Sequence, residues 1–480
     1  MNNFYLKNAI TFLLFLLFTS QIFSQDKSQT IDDLVNKYYD YGQFNGSILV
    51  SENGKIILNK GYGYAEMEWK NPNTPDTKFR LASVSKQFTA MLIMQLVGNG
   101  MLSLDGKISE YLPYYRRDIG EKVTIRQLLT HSSGIFNYTD DPEVMQKTVR
   151  EPMTVQELVV NLCSKQLDFE PGTNYSYSNS GYVILGAIIE EVTGKKYEDV
   201  LQENIFIPLN MKNSGYDHNS EIIENRASGY DKSIEGYTHS RYIDMSIPFS
   251  AGALYSTVND MYLWDQALYT DKLVSKETLK LIFTPNLGDY GFGWHISDVD
   301  IGSLKKNLVT HSGGIFGFNT LIMRYPEDGI CIVILNNYSN GNIRELGNSI
   351  SAILYEQDYK QPKQSLTEIL FKTYRDKGLT EAISEFNELK ENKDEYFVTE
   401  REINNLGYNL LRKGSTDEAI ELFKLNVDLF PQSANVYDSL GEAYLKNGNK
   451  DLAIINYRKS VELNPENESG KKVLSDLQGK

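Results

Sequence analysis

A serine and a lysine three residues apart, in Ser83-Val84-Ser85-Lys86, are the pair in this 480-residue chain best suited to covalent chemistry. On a helix, positions i and i+3 share a face. A serine hydroxyl needs a base to attack near neutral pH, and a desolvated lysine amine can be that base. Ser-x-x-Lys recurs at Ser24, Ser303 and Ser469. Only Ser83 heads a stretch, residues 82–97, that is apolar on nearly all sides and so predicts a buried helix. The N–H groups at such a helix start favour developing negative charge.

Two further constellations follow. In Tyr177-Ser178-Asn179 a tyrosine hydroxyl near a cation can shuttle protons, and an asparagine can hold an amide. Tyr-x-Asn recurs at Tyr338, where it reads as a turn. His311-Ser312-Gly313-Gly314 reads as the opening of a strand running from Ile315 to Tyr325. A basic side chain and a hydroxyl there suit a substrate carboxylate, and glycine lets a substrate approach the strand backbone. Singly, each has a structural reading too: Ser83 as a helix cap, Tyr177 as a packed aromatic, His311 as a surface strand residue.

The elements that must position these groups read as a mixed α+β region before about residue 360. Gly46–Gly54 and Lys55–Lys60 predict two strands joined at an Asn-Gly turn. Residues 290–296 and 316–336 predict further strands, and 105–285 mostly helices and long loops. After Lys360 the pattern is wholly helical. A period of 34 pairs Leu406 with Leu440, Gly407 with Gly441, Gly414 with Gly448, Ala419 with Ala453, Phe423 with Tyr457 and Pro431 with Pro465. That spacing resembles tetratricopeptide repeats, with units at about 400–433 and 434–467 and a degenerate helix pair at about 366–392. The predicted division is a leader at 1–24, a mixed domain at 30–358 and an all-α stack at 364–480.

In the order Ser-x-x-Lys, Tyr-x-Asn, His-Ser-Gly, the motifs resemble the serine β-lactamase and D-alanyl-D-alanine peptidase-like hydrolases, on the class C side. Phe79–Ser83, Leu128–Gly134, Tyr177–Tyr182 and Tyr290–Trp294 carry the same likeness. It implies an antiparallel sheet flanked by helices plus a helical lobe. It implies Ser83 as the acylated nucleophile, with Lys86 and Tyr177 sharing base and acid work. It places Asn179, His311, Ser312 and Gly313 against the substrate, and the N–H groups of Ser83 and Gly314 at an oxyanion hole. It implies no metal and no cofactor. The substrate would be a small molecule or peptide bearing an amide, ester or β-lactam carbonyl. Histidine at 311 stands where efficient β-lactamases of this side usually have lysine, and a mostly neutral ring supplies less fixed charge. The alternative is a hydrolase-like scaffold, weak or inactive, whose repeats bind a protein partner.

Composition excludes other classes. Forty-eight Lys and Arg against 63 Asp and Glu leave a formal charge of −15, which disfavours nucleic acid and anionic lipid. No Gly-x-Ser-x-Gly, Cys-x-x-Cys, His-Glu-x-x-His or phosphate-binding Gly-x-x-x-x-Gly-Lys-Ser/Thr occurs. Lys7, the apolar run Ile10–Phe18 and the small residue Ser24 predict a secretory leader cleaved after Ser24, hence a secreted, periplasmic protein with no membrane span after processing. An uncleaved anchor is the alternative. Cys163 and Cys331 read as two core thiols, with a disulfide between them left open.

Overall fold

The computed structural model describes residues 27–339 and 341–479. The expected leader lies outside the described residues. Two compact units appear: the chain up to Lys232 with Tyr237–Gln361, and Pro362–Lys480 with the turn Ser233–Gly236.

The first unit is built on a six-stranded antiparallel sheet. Its strands are β1 (Gly46–Glu52), β2 (Lys55–Tyr62), β3 (His295–Ile301), β4 (Leu304–Ile315), β5 (Phe318–Tyr325) and β6 (Ile330–Asn336). Their spatial order is β3-β4-β5-β6-β1-β2. All seven residues of β6, Ile-Cys-Ile-Val-Ile-Leu-Asn, are buried, as a central strand covered on both faces requires. Alternate side chains then enter two cores. Ile48, Val50, Ile332 and Ile334 pack with a helix α1 (residues 27–40) and with Leu346 and Ile350 of a later helix. Leu49, Cys331, Val333 and Leu335 join the larger core, with α2 (Lys86–Gly98) and α3 (Asn179–Thr193). The later helix, α4 (Ile343–Leu354), shows its apolar stripe at Ile343, Leu346, Ile350 and Ile353. Both cysteines are free and buried.

Two strand expectations need correction. The segment 290–294 is irregular, and β3 begins only at His295. His311–Gly314 closes β4 rather than opening a strand; the chain then turns at Phe316-Gly317 into β5. A run of small polar residues gave no period by which to tell a strand's end from its start.

The second unit is helical: α5 (Leu366–Lys377), α6 (Leu379–Leu389), α7 (Glu400–Lys413), α8 (Thr416–Leu429), α9 (Ala434–Lys446), α10 (Lys450–Leu463) and α11 (Glu468–Gln478). The 34-residue repeat has a direct packing cause. Gly407 on α7 faces the Phe423 ring of α8, and Gly441 on α9 faces the Tyr457 ring of α10. Ala419 and Ala453 are fully buried between the paired helices. Among the described residues no helix is long and apolar enough to cross a membrane.

Candidate active site

Ser83 lies in a single 3₁₀ turn, Ala82–Ser85, that leads into α2. The residue before it, Ala82, has φ +49°, a left-handed conformation that costs a side-chain-bearing residue about 1–3 kcal/mol. Surrounding bonds hold this turn. The Leu81 N–H donates to the Leu254 carbonyl at 2.7 Å, and the Thr320 hydroxyl donates to the Leu81 carbonyl at 2.7 Å. Gly313 sits directly behind it. A Cβ there would lie 2.2 Å from the Leu81 oxygen. That glycine therefore makes room for the backbone that leads into Ser83.

Lys86 is fully buried. Its Nζ lies 3.1 Å from Ser83 Oγ, 2.7 Å from Asn179 Oδ1 and 2.9 Å from the Ala251 carbonyl oxygen. Burial holds its pKa well below the ordinary lysine value. Among the described residues no carboxylate pairs with it. Two of its three partners can only accept, while the Ser83 hydroxyl can also donate. A neutral amine, with two N–H donors and one lone pair, matches that set.

Tyr177 packs with its ring centroid 4.9 Å from Lys86 Nζ. Its hydroxyl is buried with no hydrogen-bond partner among the described residues. Burial pushes the phenol pKa up, and the nearby Ser83 hydroxyl opposes this more weakly. Burial thus favours the protonated phenol at rest. Asn179 is engaged at both ends of its amide: Nδ2 donates to Thr139 Oγ1 at 3.1 Å and to Asn137 Oδ1 at 3.3 Å, while Oδ1 accepts from Lys86. Its bonds hold the lysine, and the residue also lines the cavity beside Ser83.

His311 is buried, its ring centroid 6.2 Å from that of Tyr177. Nδ1 donates to the Ser312 carbonyl at 2.6 Å, and Nε2 accepts from the Tyr290 hydroxyl at 2.9 Å. Burial holds its pKa well below the imidazole range. Both nitrogens of a neutral ring are used within the protein, which leaves neither for a substrate carboxylate. Ser312, on the opposite face of β4, is exposed. The nearby cation is Arg344, which donates to Thr310 Oγ1 at 3.3 Å.

Ser83, Asn179 and Gly314 line a cavity of about 330 Å³, whose other walls include Met145, Val149, Ile243, Phe316 and Phe318. Of the residues marked in the sequence, the fold brings Lys86, Asn179 and Gly314 to Ser83 but turns the Ser312 side chain away, and several of their supports carried no mark. The Ala251 carbonyl carried no signal, since every residue has one. Asn137 and Thr139 lie at the start of and within a short 3₁₀ turn, Tyr138–Asp140, that carries no motif. His131 stood in view within Leu128–Gly134. Its ring lies 4.2 Å from the Tyr177 ring, and its Nδ1 accepts from the Ser178 N–H at 3.1 Å. Among the described residues no group of His, Cys, Asp or Glu is arranged to hold a metal ion.

A Ser-x-x-Lys pair at the head of a buried helix, against the end of an antiparallel strand, is the arrangement of a serine hydrolase of the beta-lactamase type. The beta-lactamase family profile matches residues 29–352, and the chain belongs to that family. A tetratricopeptide-repeat profile matches residues 434–467. A penicillin-binding protein of Bacillus subtilis is 32% identical over 362 residues, 71% of this chain and 79% of its own. The D-amino acid amidase of Ochrobactrum anthropi superposes with a TM-score of 0.61 at 26% identity, over 69% of this chain and 99% of that one. A penicillin-binding protein from Bacillus halodurans gives 0.58 at 26%, over 67% and 98%.

Proposed function

We propose that the protein hydrolyses an amide or ester bond next to a D-amino acid, or a β-lactam, through an acyl intermediate on Ser83. The observation that carries this reading is the uncompensated, fully buried Lys86 within 3.1 Å of the Ser83 hydroxyl. Ser83 Oγ adds to the substrate carbonyl as its proton passes to the Lys86 amine. The oxyanion is held by the N–H groups of Ser83 and Gly314, both at the cavity wall. The protonated Tyr177 hydroxyl, buried and unpartnered, gives its proton to the leaving amine or alcohol and recovers one from Lys86. Water then attacks the ester, with Lys86 and Tyr177 reversing roles. Asn179 and the Ala251 carbonyl hold the lysine; Tyr290 and His311 pack behind Tyr177.

A D-configured substrate is favoured by the likeness to a D-amino acid amidase and to penicillin-binding proteins. The leader-like first 24 residues favour action outside the cytoplasm, in a periplasm or beyond. The tetratricopeptide repeat favours a protein partner for residues 364–480. Labelling with fluorescent penicillin and with a fluorophosphonate, read by intact mass, tests the reading. A D-alanyl peptide, nitrocefin and short p-nitrophenyl esters then separate the substrate classes. An unlabelled wild-type protein that also turns over none of these substrates is the scaffold alternative.

A further inference from the structure

A second cavity, of about 290 Å³, adjoins the Ser83 pocket. The two share the wall residues Ile243, Phe316 and Phe318. Three arginines, Arg80, Arg226 and Arg241, line the second one. In a chain with a formal charge of −15 this grouping runs against the overall balance.

The arginines are oriented but not used up. Arg80 Nε and the Arg226 guanidinium converge on one fully buried carboxylate, Asp217, at 2.9 and 2.7 Å. One carboxylate between two guanidiniums leaves an excess positive charge. Each guanidinium has five N–H donors, and Asp217 takes one from each. Arg241 is exposed and, among the described residues, makes no hydrogen bond or ion pair. Its guanidinium lies over the Phe316 ring at 4.3 Å, and that of Arg80 lies over Phe318 at 5.9 Å. Each of the two rings shared by the cavities thus lies against a cation. Of the acidic groups nearby, Glu68 pairs with His239, Asp231 accepts from Ser240, and Asp244 accepts from Tyr242 and Ser246. The close approach of the Arg241-bearing segment has a backbone cause. Gly317, with φ +79°, lies so near the neighbouring chain that a Cβ on it would fall 2.5 Å from the Gly229 Cα and 2.9 Å from Ser240 Cβ, next to Arg241.

We propose that this cavity is a substrate subsite for an oxyanion, a carboxylate or phosphate on the part of the substrate remote from the reacting carbonyl. The proposal rests on Ser83 being the nucleophile of the adjoining pocket. Planar guanidinium groups suit both oxyanions through paired N–H donors. The apolar rings between the two cavities take the uncharged portion of the chain that links carbonyl to anion.

The test uses the full chain and D-alanyl and D-alanyl-D-alanyl aminomethylcoumarin amides. Each carries an N-terminal acetyl, succinyl or phosphonoacetyl cap, and two lengths are used to span the cavities. The expected result is a kcat/KM at least roughly tenfold higher for an anionic cap than for acetyl. Arg241→Ala lowers that ratio, Arg241→Lys keeps part of it, and Arg241→Glu reverses it. The succinyl and phosphonoacetyl arms tell which oxyanion is preferred. Binding of the same compounds to Ser83→Ala is measured in parallel by calorimetry, because it reads the subsite without turnover. If wild type neither acylates nor turns over any cap, while Ser83→Ala still binds anionic caps more tightly, the nucleophile reading fails and the subsite stands. If no cap preference appears in turnover or binding, or the preference is untouched in folded Arg241→Glu, the subsite is overturned.

Discussion

The two units bury different kinds of side chain. In the first, Lys86, His131, Asp217, Asp265, His311 and Arg324 are each no more than 2% exposed. In the second, the buried polar residues are all neutral, among them Ser365, Thr367, Asn426, Ser439 and Ser460. Taking an ion from water costs several kcal/mol, so a buried charge must be matched or given up. Arg324 and Asp265 match each other in an ion pair. Lys86, His131 and His311 have no counter-charge, and burial drives all three toward their neutral forms. Those three lie around Ser83 and Tyr177. The helical unit, by contrast, meets its packing needs with glycine, alanine and aromatic rings. Uncompensated burial of ionisable groups thus gathers around Ser83 and Tyr177, as it does where side chains are tuned for proton transfer.

The sharpest break in that comparison is at the nucleophile. Ser83→Ala should remove acyl labelling in intact mass spectra, and Lys86→Met should slow acylation by roughly 10²–10⁴-fold while circular dichroism stays native. An adduct retained on Ser83→Ala would remove the assignment. Next comes the matched pair. Asp265→Ala strands Arg324 in the core and should cost about 3–5 kcal/mol in urea unfolding, whatever the substrate. A loss under about 1 kcal/mol would mean that water reaches Arg324.

Tyr177→Phe should slow acylation by roughly 10²-fold without a stability loss of that size, because its hydroxyl has no protein partner to lose. Titration offers another contrast. The unfolded chain binds protons on His131 and His311 below about pH 6.5, whereas the folded unit resists them. The unfolded state thus holds more protons there, so stability should rise with pH up to that value and fall below it. His311→Gln should flatten this slope in melting curves taken from pH 5 to 8. An unchanged slope would exclude His311 as a contributor. Activity should fall on the acid side as the depressed Lys86 amine takes up its proton.

The smallest effect belongs to the helical unit. Gly407→Ala puts a methyl 2.6 Å from the Phe423 ring, whereas Gly441→Ala meets Tyr457 at 3.0 Å. The first should lower the melting temperature of the stack more, by an amount corresponding to about 1–3 kcal/mol of overpacking. Neither should change the rate of Ser83 labelling, and a chain ending at Gln361 should keep that rate once shown to be folded. A folded truncation that fails to label would mean that the helical residues complete the site.

Legible in the residues alone were most of the strand and helix periods of the core, the 34-residue repeat, and three short motifs. These are legible because burial on a fixed period and a reactive pair on one helical face are local properties. Tertiary structure decided the rest. It gave Gly313 to the Leu81 backbone, closed the amide of Asn179 on Lys86, and engaged both nitrogens of His311. It brought the Ala251 carbonyl, Asn137 and His131 to residues far off in sequence, and it drew Arg80, Arg226 and Arg241 into one cavity beside the nucleophile. The protonation states of Lys86, Tyr177 and His311 belong to the same class. A side chain's charge is set by how much water and which dipoles surround it, and those neighbours come together only when distant segments fold onto one another.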